Sequence, residues 1–325
     1  MICMRVKQYD ILECQAFILR RYKGMSRTYR LYQVDSFTED KFLGNPAGVI
    51  TNADGLSEFE MQKIARELNN SETAFIFSSN NDSYDVHVRF FTPINEVPIC
   101  GHATIAAHYV RAIENKMSST RVIQKTGAGI LPVDIICDKN DYRIIMTQGK
   151  VEFGTVINGE NKEILIQALA ITEKDLLKDC PIQIVSTGHS KVMIGLRDNI
   201  LLNRLKPDYQ VLSKLSEIIG CNGYYVFTLN SEDNDTLVKG RMFAPAIGIN
   251  EDPVTGNANG PLGAYLVHHK LVEQDGDYFK FNARQGEAIG RAGTIGVEVF
   301  IKNGEPSEVR VSGKAVIVFQ TELII

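Results

Sequence analysis

Two stretches decide how this chain is read. One is Arg89-Phe-Phe-Thr-Pro93, followed by Pro98-Ile-Cys-Gly-His-Ala-Thr104. The other is Arg241-Met-Phe-Ala-Pro245, followed by Asp252-Pro-Val-Thr-Gly-Asn-Ala-Asn259. Each pairs a strand-like R-x-F-x-P run with a glycine that opens an apolar helical run. Gly101 stands eight residues after Pro93, and Gly256 stands eleven after Pro245. Ala103 to Ile113 is apolar nearly all round, and so is Leu262 to Val267. A helix without a polar face is buried on most sides.

Working outward, Glu72-Thr-Ala-Phe-Ile-Phe77 parallels Gly223-Tyr-Tyr-Val-Phe-Thr228. Each half therefore runs helix, strand, R-x-F-x-P strand, glycine-opened buried helix, further strands. One five-residue match could be chance; the same order of elements with the same change of period is an internal duplication, which constrains the whole fold. We expect an α+β fold of two pseudo-repeated lobes, each a β-barrel-like curled sheet around a central buried helix. The expected bounds are 28–135 for the first lobe, joined by a C-terminal strand at about 312–325, and 136–311 for the second.

The local signals agree. Tyr29 to Asp35 alternates at period two, as a half-buried strand does. Ser57 with Glu60 makes a capping box ahead of Met61, Ile64, Ala65 and Leu68, which share one helical face, and Asn69-Asn70 stops that helix. Strands are expected at 47–50, 72–77, 86–91, 121–125, 130–137, 183–186, 191–196, 223–228, 241–245, 296–301, 308–311 and 316–320, and a helix at 212–219.

The bulk numbers exclude several classes. The 325 residues are 44% hydrophobic and 23% charged, with a formal net charge of −4. No general basic surface for nucleic acid follows from that balance. No apolar run reaches the ~18 residues of a membrane span. The six cysteines, Cys3, Cys14, Cys100, Cys137, Cys180 and Cys221, are scattered. That spacing fits reduced thiols in a cytoplasmic protein and offers no clustered zinc ligands, so no metal is expected. Residues 1–27 carry no signal-peptide pattern. They read as an N-terminal extension: either Met25 is the natural start, or the stretch is a short ordered extension.

Chemistry should gather at the two glycine-opened helix starts. Their first N–H groups lack internal partners, and the helix dipole adds partial positive charge. Two such ends facing one cleft would hold an anion such as a carboxylate. His102 stands beside the first; Asp252, Thr255 and Asn257 stand beside the second. Pro253 holds the Asp252 backbone extended. These residue types are also common helix caps. Glu72 opens an apolar strand after a turn, and desolvation there would raise its pKa toward a value suited to taking and giving a proton.

Val34-Asp-Ser-Phe-Thr38, Gly44-Asn-Pro-Ala-Gly-Val49, Asn70-Ser-Glu-Thr-Ala-Phe75, Phe91-Thr-Pro-x-x-Glu-Val97 with Cys100-Gly-His-Ala-Thr104, and Glu251-Asp-Pro-Val-Thr-Gly256 together resemble the PhzF-like isomerases of phenazine biosynthesis, from about residue 29 to the C-terminus. The resemblance implies a diaminopimelate epimerase-like fold with the active site between the lobes. It implies Glu72 as the acid/base, His102 and Asp252 as its partners, and substrate contacts at Ser71, Gly101, His102, Gly256 and Asn257. The family's best-known member isomerises trans-2,3-dihydro-3-hydroxyanthranilate by carrying a proton between ring carbons. It uses no cofactor or metal.

Asn257 departs from that enzyme, which has Ser there, so the chemistry carries over better than the substrate. The fold's two-thiol racemases place a cysteine before each helix-opening glycine. Here Cys100 precedes Gly101 but Thr255 precedes Gly256, which argues against two-thiol racemisation. The expectation is a cofactor-independent isomerase moving a proton on a small carboxylate metabolite, with a homodimer plausible. The rival is a carboxylate-binding protein without turnover.

Overall fold

The computed structural model describes residues 26–79, 81–139, 141–229 and 235–325. Of the expected extension, 1–27, residues 1–25 lie outside the described residues. Arg27 already belongs to the sheet, exchanging backbone hydrogen bonds of 2.8 and 2.9 Å with Ile325.

In the first half, β1 (Thr28–Ser36) is flanked by β18 (Ala315–Ile324) and β2 (Asn45–Ile50), both antiparallel. Helix α1 (Glu58–Leu68) crosses to β3 (Glu72–Ser78), parallel to β2, and β4 (Val86–Phe91) returns antiparallel. A short β5 (Glu96–Val97) leads into α2 (Gly101–Asn115). Next come β6 (Thr120–Thr126), parallel to β4, and β7 (Gly129–Asp138), antiparallel to β6.

The second half repeats these pairings. β10 (Gln183–Ser186) lies between β9 (Glu152–Val156) and β11 (Ser190–Leu196), antiparallel to both. The stretch from β11 to β12 (Tyr224–Thr228), its parallel neighbour, carries α4 (Asn199–Arg204) and α5 (Tyr209–Ile219), preceded in the chain by α3 (Gly159–Ala168). β13 (Val238–Ala244) returns antiparallel, and the short β14 (Ile249–Asp252) leads into α6 (Gly256–His268). β15 (Tyr278–Gln285) is parallel to β13, and β16 (Gly293–Lys302) is antiparallel to β15. β8 (Asp141–Thr147) pairs with β7 and with β17 (Glu305–Gly313), joining the halves into one sheet of eighteen strands among the described residues. The expected duplication is therefore present pairing by pairing. For the lobes themselves we propose the bounds 28–135 with 312–325, and 136–311.

The sequence motifs acquire physical reasons. In R-x-F the two side chains share a strand face. Arg89 stacks over Phe91 at 5.1 Å and Arg241 over Phe243 at 5.0 Å. Each arginine also forks onto a glutamate of the short strand that follows. Arg89 reaches Glu96 with Nε at 2.7 Å, and Arg241 reaches Glu251 at 2.9 and 2.7 Å. So R-x-F-x-P ties each strand to the segment that delivers the chain to a buried helix.

The capping box of α1 forms as expected, with Asn69 closing the helix in a left-handed conformation and Met61, Ile64 and Ala65 buried. Both α2 and α6 are buried along most of their length, within one core that spans both halves. Gly44 is a glycine the fold requires. Its φ is +63°, and a Cβ there would overlap the Ser36 carbonyl oxygen. No helix among the described residues is long and apolar enough to cross a membrane.

Candidate active site

The N-termini of α2 and α6 meet. A Cβ on Gly101 would stand 3.8 Å from the Gly256 Cα. Both helices begin without the side-chain cap that α1 has. Neither the Cys100 thiol nor the Thr255 hydroxyl caps its helix. The first backbone bond of α2 runs from Thr104 N to Cys100 O, and that of α6 from Ala258 N to Thr255 O. The amides of Gly101, His102, Gly256 and Asn257 therefore keep free donors, and the two helix dipoles add their positive ends at one place. The capping alternative is excluded for Thr255, whose hydroxyl donates to Asp252 instead.

Glu72, at the start of β3, reaches this junction from the side. Its Oε2 lies 3.4 Å from His102 Nε2, with side-chain exposures of 16% and 7%. Ser71 Oγ lies 3.2 Å from the same nitrogen. Cys100 Sγ is 3.4 Å from His102 Nδ1. Burial pushes the Glu72 carboxyl up, offset by hydrogen bonds from Ser71 and Cys100. Burial pushes the Cys100 thiol far above its usual range, helped by the Glu72 charge. Burial likewise holds His102 down, against the pull of Asp252. At neutral pH the imidazole is thus a neutral neighbour of the carboxyl.

Asp252 closes the other side, buried at the end of β14. Burial raises its pKa, opposed by His102 and by bonds from Thr255 and Asn45. Asn45 Nδ2 donates to Asp252 Oδ1 at 2.9 Å and to Val254 O at 2.8 Å. Gln285 Nε2 donates to the Asp252 carbonyl at 2.8 Å, and its Oε1 accepts from Thr255 N at 3.2 Å and from Asn259 Nδ2 at 3.0 Å. Tyr225 then donates to Asn259 Oδ1 at 2.6 Å. A network across four elements thus fixes the α6 start.

Every residue expected at the site lies at this junction. Ser71, Glu72 and His102 make direct contacts, and Gly101 faces Gly256. Asp252 is coupled to Glu72 and His102 through its charge. Asn257 is half-buried, and its side chain makes no hydrogen bond to another described residue. Sequence reasoning passed over Asn45, Gln285 and Asn259. It passed over Gln148 too, a buried residue whose Nε2 has no partner among the described residues and faces Gly256, 4.0 Å from where a Cβ would be. Gln148 Oε1 accepts from Thr187 at 2.8 Å. Lys191, buried on β11, was missed as well. Burial lowers its pKa, with Cys221 and Asp252 opposing. Gly223 makes room for its stem. Asn45 had a signal, since it sits in the Gly44-Asn-Pro motif; for Gln148 and Lys191 the sequence has none. Cys100 has its sulfur turned to Glu72 and His102. The spacing argument against clustered metal ligands fails in space, since Glu72, Cys100 and His102 place ligand atoms within 4.8 Å of one another.

Neither Gly101 nor Gly256 has a positive φ, and a Cβ on either meets only ordinary contacts, the nearest at 3.8 and 3.6 Å. The fold does not require these glycines; a methyl would instead enter the gap between the helix ends. Gly101→Ala should match the native chain in thermal unfolding, or gain up to about 1 kcal/mol. Its kcat/KM should fall roughly tenfold or more, because the ligand is displaced. Unfolding midpoints beside steady-state kinetics check both halves of this expectation.

Comparison with known proteins agrees with the resemblance. Residues 34–321 match the PhzC-PhzF family model, described as phenazine biosynthesis-like protein. An uncharacterized isomerase of Clostridium acetobutylicum is 70% identical over 301 residues, covering 93% of this chain and 100% of that protein. The trans-2,3-dihydro-3-hydroxyanthranilate isomerase of Pseudomonas chlororaphis is 30% identical, covering 87% of this chain and 95% of its own. The crystal structure of a PhzF-family phenazine biosynthesis protein from Bacillus anthracis superposes with a TM-score of 0.83 at 32% identity, covering 92% of this chain and 100% of that one.

Proposed function

The chain belongs to the phenazine biosynthesis-like PhzC-PhzF family and is an isomerase by that kinship, and from this premise we propose that it moves a proton on a small carboxylate metabolite with Glu72 as the only acid/base. The observation that carries the reading is Glu72 itself. It is a desolvated carboxyl held beside a neutral imidazole, at a junction where two uncapped helix starts offer four amide donors.

The substrate carboxylate sits on the amides of Gly101, His102, Gly256 and Asn257, with Gln148 Nε2 as a further donor. Ionised Glu72 removes an activated C–H proton. The electron pair moves into the conjugated system of the substrate, and the negative charge that develops is met by the helix ends. The same carboxyl then returns the proton to another carbon. Ser71 and His102 fix the carboxyl's direction. Asp252, fixed by Asn45 and Thr255, orients the substrate's polar group from the second lobe. No cofactor takes part. Asn257 sets which substrate fits, in place of the serine of the dihydro-hydroxyanthranilate enzymes.

A pH profile tests the assignment. The reaction starts from the ionised carboxyl, so kcat/KM should rise with pH through an apparent pKa above the ordinary glutamate value of ~4.3. A limb centred at or below that value would contradict a desolvated Glu72 base. Stability should run the other way. Folding raises the pKa of Glu72 and Asp252, so the native state binds protons more tightly than the unfolded chain. The stability they contribute is complete below the unfolded carboxylate pKa and is lost as pH rises through the folded values. Chemical denaturation across that window measures it.

A further inference from the structure

We propose that Glu72, Cys100 and His102 form a binding site for a soft divalent cation of the zinc class, whose occupancy blocks the proton shuttle. The blocking rests on the function proposed above; the binding does not.

The donor set comes first. A carboxylate oxygen, a thiol sulfur and an imidazole nitrogen all lie within 4.8 Å of one another. His102 Nε2 is 3.4 Å from Glu72 Oε2 and 4.0 Å from Cys100 Sγ. On a tetrahedral zinc ion with bonds of about 2.0–2.3 Å, neighbouring ligand atoms stand roughly 3.3–3.6 Å apart. The carboxylate–imidazole edge already has that length; the two sulfur edges, 4.0 Å to Nε2 and within 4.8 Å to the carboxylate, are longer and close as the Cys100 and His102 side chains turn onto the ion. Thiolate and imidazole select zinc or cadmium over magnesium or calcium, which prefer all-oxygen shells.

The anchoring is second. Cys100 is the N-cap of α2 and His102 lies in its first turn, while Glu72 begins β3. All three side chains are held by regular elements around one point. With three protein ligands, a fourth position stays open for water or a substrate carboxylate, as in exchangeable rather than purely structural zinc sites.

Binding takes the Cys100 proton off to solvent as the S–metal bond forms, and it engages the Glu72 oxygen that the shuttle uses. Metal and catalysis therefore compete for one carboxyl. The ion is an inhibitor on this account, not a cofactor.

Cadmium titration of the purified full-length chain reads the site through ultraviolet sulfur-to-cadmium charge transfer. The expected result is a band saturating at one equivalent and displaced by zinc. Cys100→Ser should lose it, His102→Asn should weaken it, and Cys137→Ser, at an exposed thiol, should keep it, with circular dichroism confirming that each variant folds. A wild-type chain without a saturating band, or a band that survives in Cys100→Ser, overturns the site. Inhibition is read separately. Zinc should abolish turnover and EDTA should restore it. A saturated site with undiminished turnover would keep the metal site and overturn the block. The titration needs no substrate, so failure of the isomerase reading would show as absent turnover beside an intact cadmium band.

Discussion

Glu72→Gln should fold like the native chain, bind carboxylate ligands with little change, and lose turnover by roughly 10²–10⁴-fold, the usual worth of a positioned acid/base. The amide keeps the carboxyl's shape and can still meet Ser71 and His102, so the site's geometry survives. It cannot accept the substrate proton, so the chemistry does not. A buried carboxyl has also been removed, one whose ionised form the fold disfavours. The variant should therefore be at least as stable as the native chain at neutral pH, with the advantage growing as pH rises through the window set by the raised pKa. His102→Asn separates Glu72 from its neighbour. The neutral imidazole directs the carboxyl without carrying the proton, so this variant should lose less activity and keep the acidic limb of its pH profile. Near-native turnover in Glu72→Gln, with the loss falling on His102→Asn instead, would assign the proton to the imidazole.

Arg241→Met should cost about 3–5 kcal/mol in stability, the range for breaking a buried ion pair from one side. The two side chains are only 7% and 6% exposed. Besides its fork onto Glu251, Arg241 donates to Leu202 O at 3.0 Å and Leu205 O at 2.9 Å. Methionine fills part of the volume, but Glu251 and two carbonyls lose their donor. The consequence reaches the site because Glu251 is bonded in sequence to Asp252. Loosening β14 should lower kcat as well as the denaturation midpoint. Arg89 offers the contrast within the same molecule. Its fork onto Glu96 is more exposed, at 22% and 37%. Arg89→Met should cost only ~1 kcal/mol or less, as surface pairs do. Equal losses at the two positions would refute the view that burial makes the difference.

The parts legible in the sequence are those where local chemistry and tertiary need coincide. The two R-x-F-x-P runs announced the duplication because an arginine two residues from a phenylalanine shares its strand face, and the pairings of the two halves repeat accordingly. The Ser57–Glu60 box started a helix where it should. Gly101 and Gly256 marked helix starts, and their uncapped state gives the reason that matters. What went unread falls into two kinds. β8, β9, α3, α4 and β15 are elements that the reading passed over. β15 carries period-two alternation, with Phe279, Phe281, Ala283 and Gln285 buried. In α3 only Leu165 and Ala168 are buried, so no clear apolar stripe marks it. The other kind is contact between residues far apart in the chain. Nothing local says that Asn45 holds Asp252, that Gln148 faces Gly256, or that Cys100 turns its sulfur to Glu72 rather than into the core. Those contacts exist only once the two repeats close on each other.

The central claim, that one carboxyl carries a proton between two carbons of a small carboxylate, is tested most directly by proton NMR in D2O. The native chain and Glu72→Gln are incubated with dihydro-hydroxyanthranilate-type carboxylates. The account predicts double-bond migration or deuterium entry at carbon with the native chain and neither with the variant. Turnover that persists in Glu72→Gln, or substrates that bind to the native chain with line broadening and stay unchanged, would contradict it.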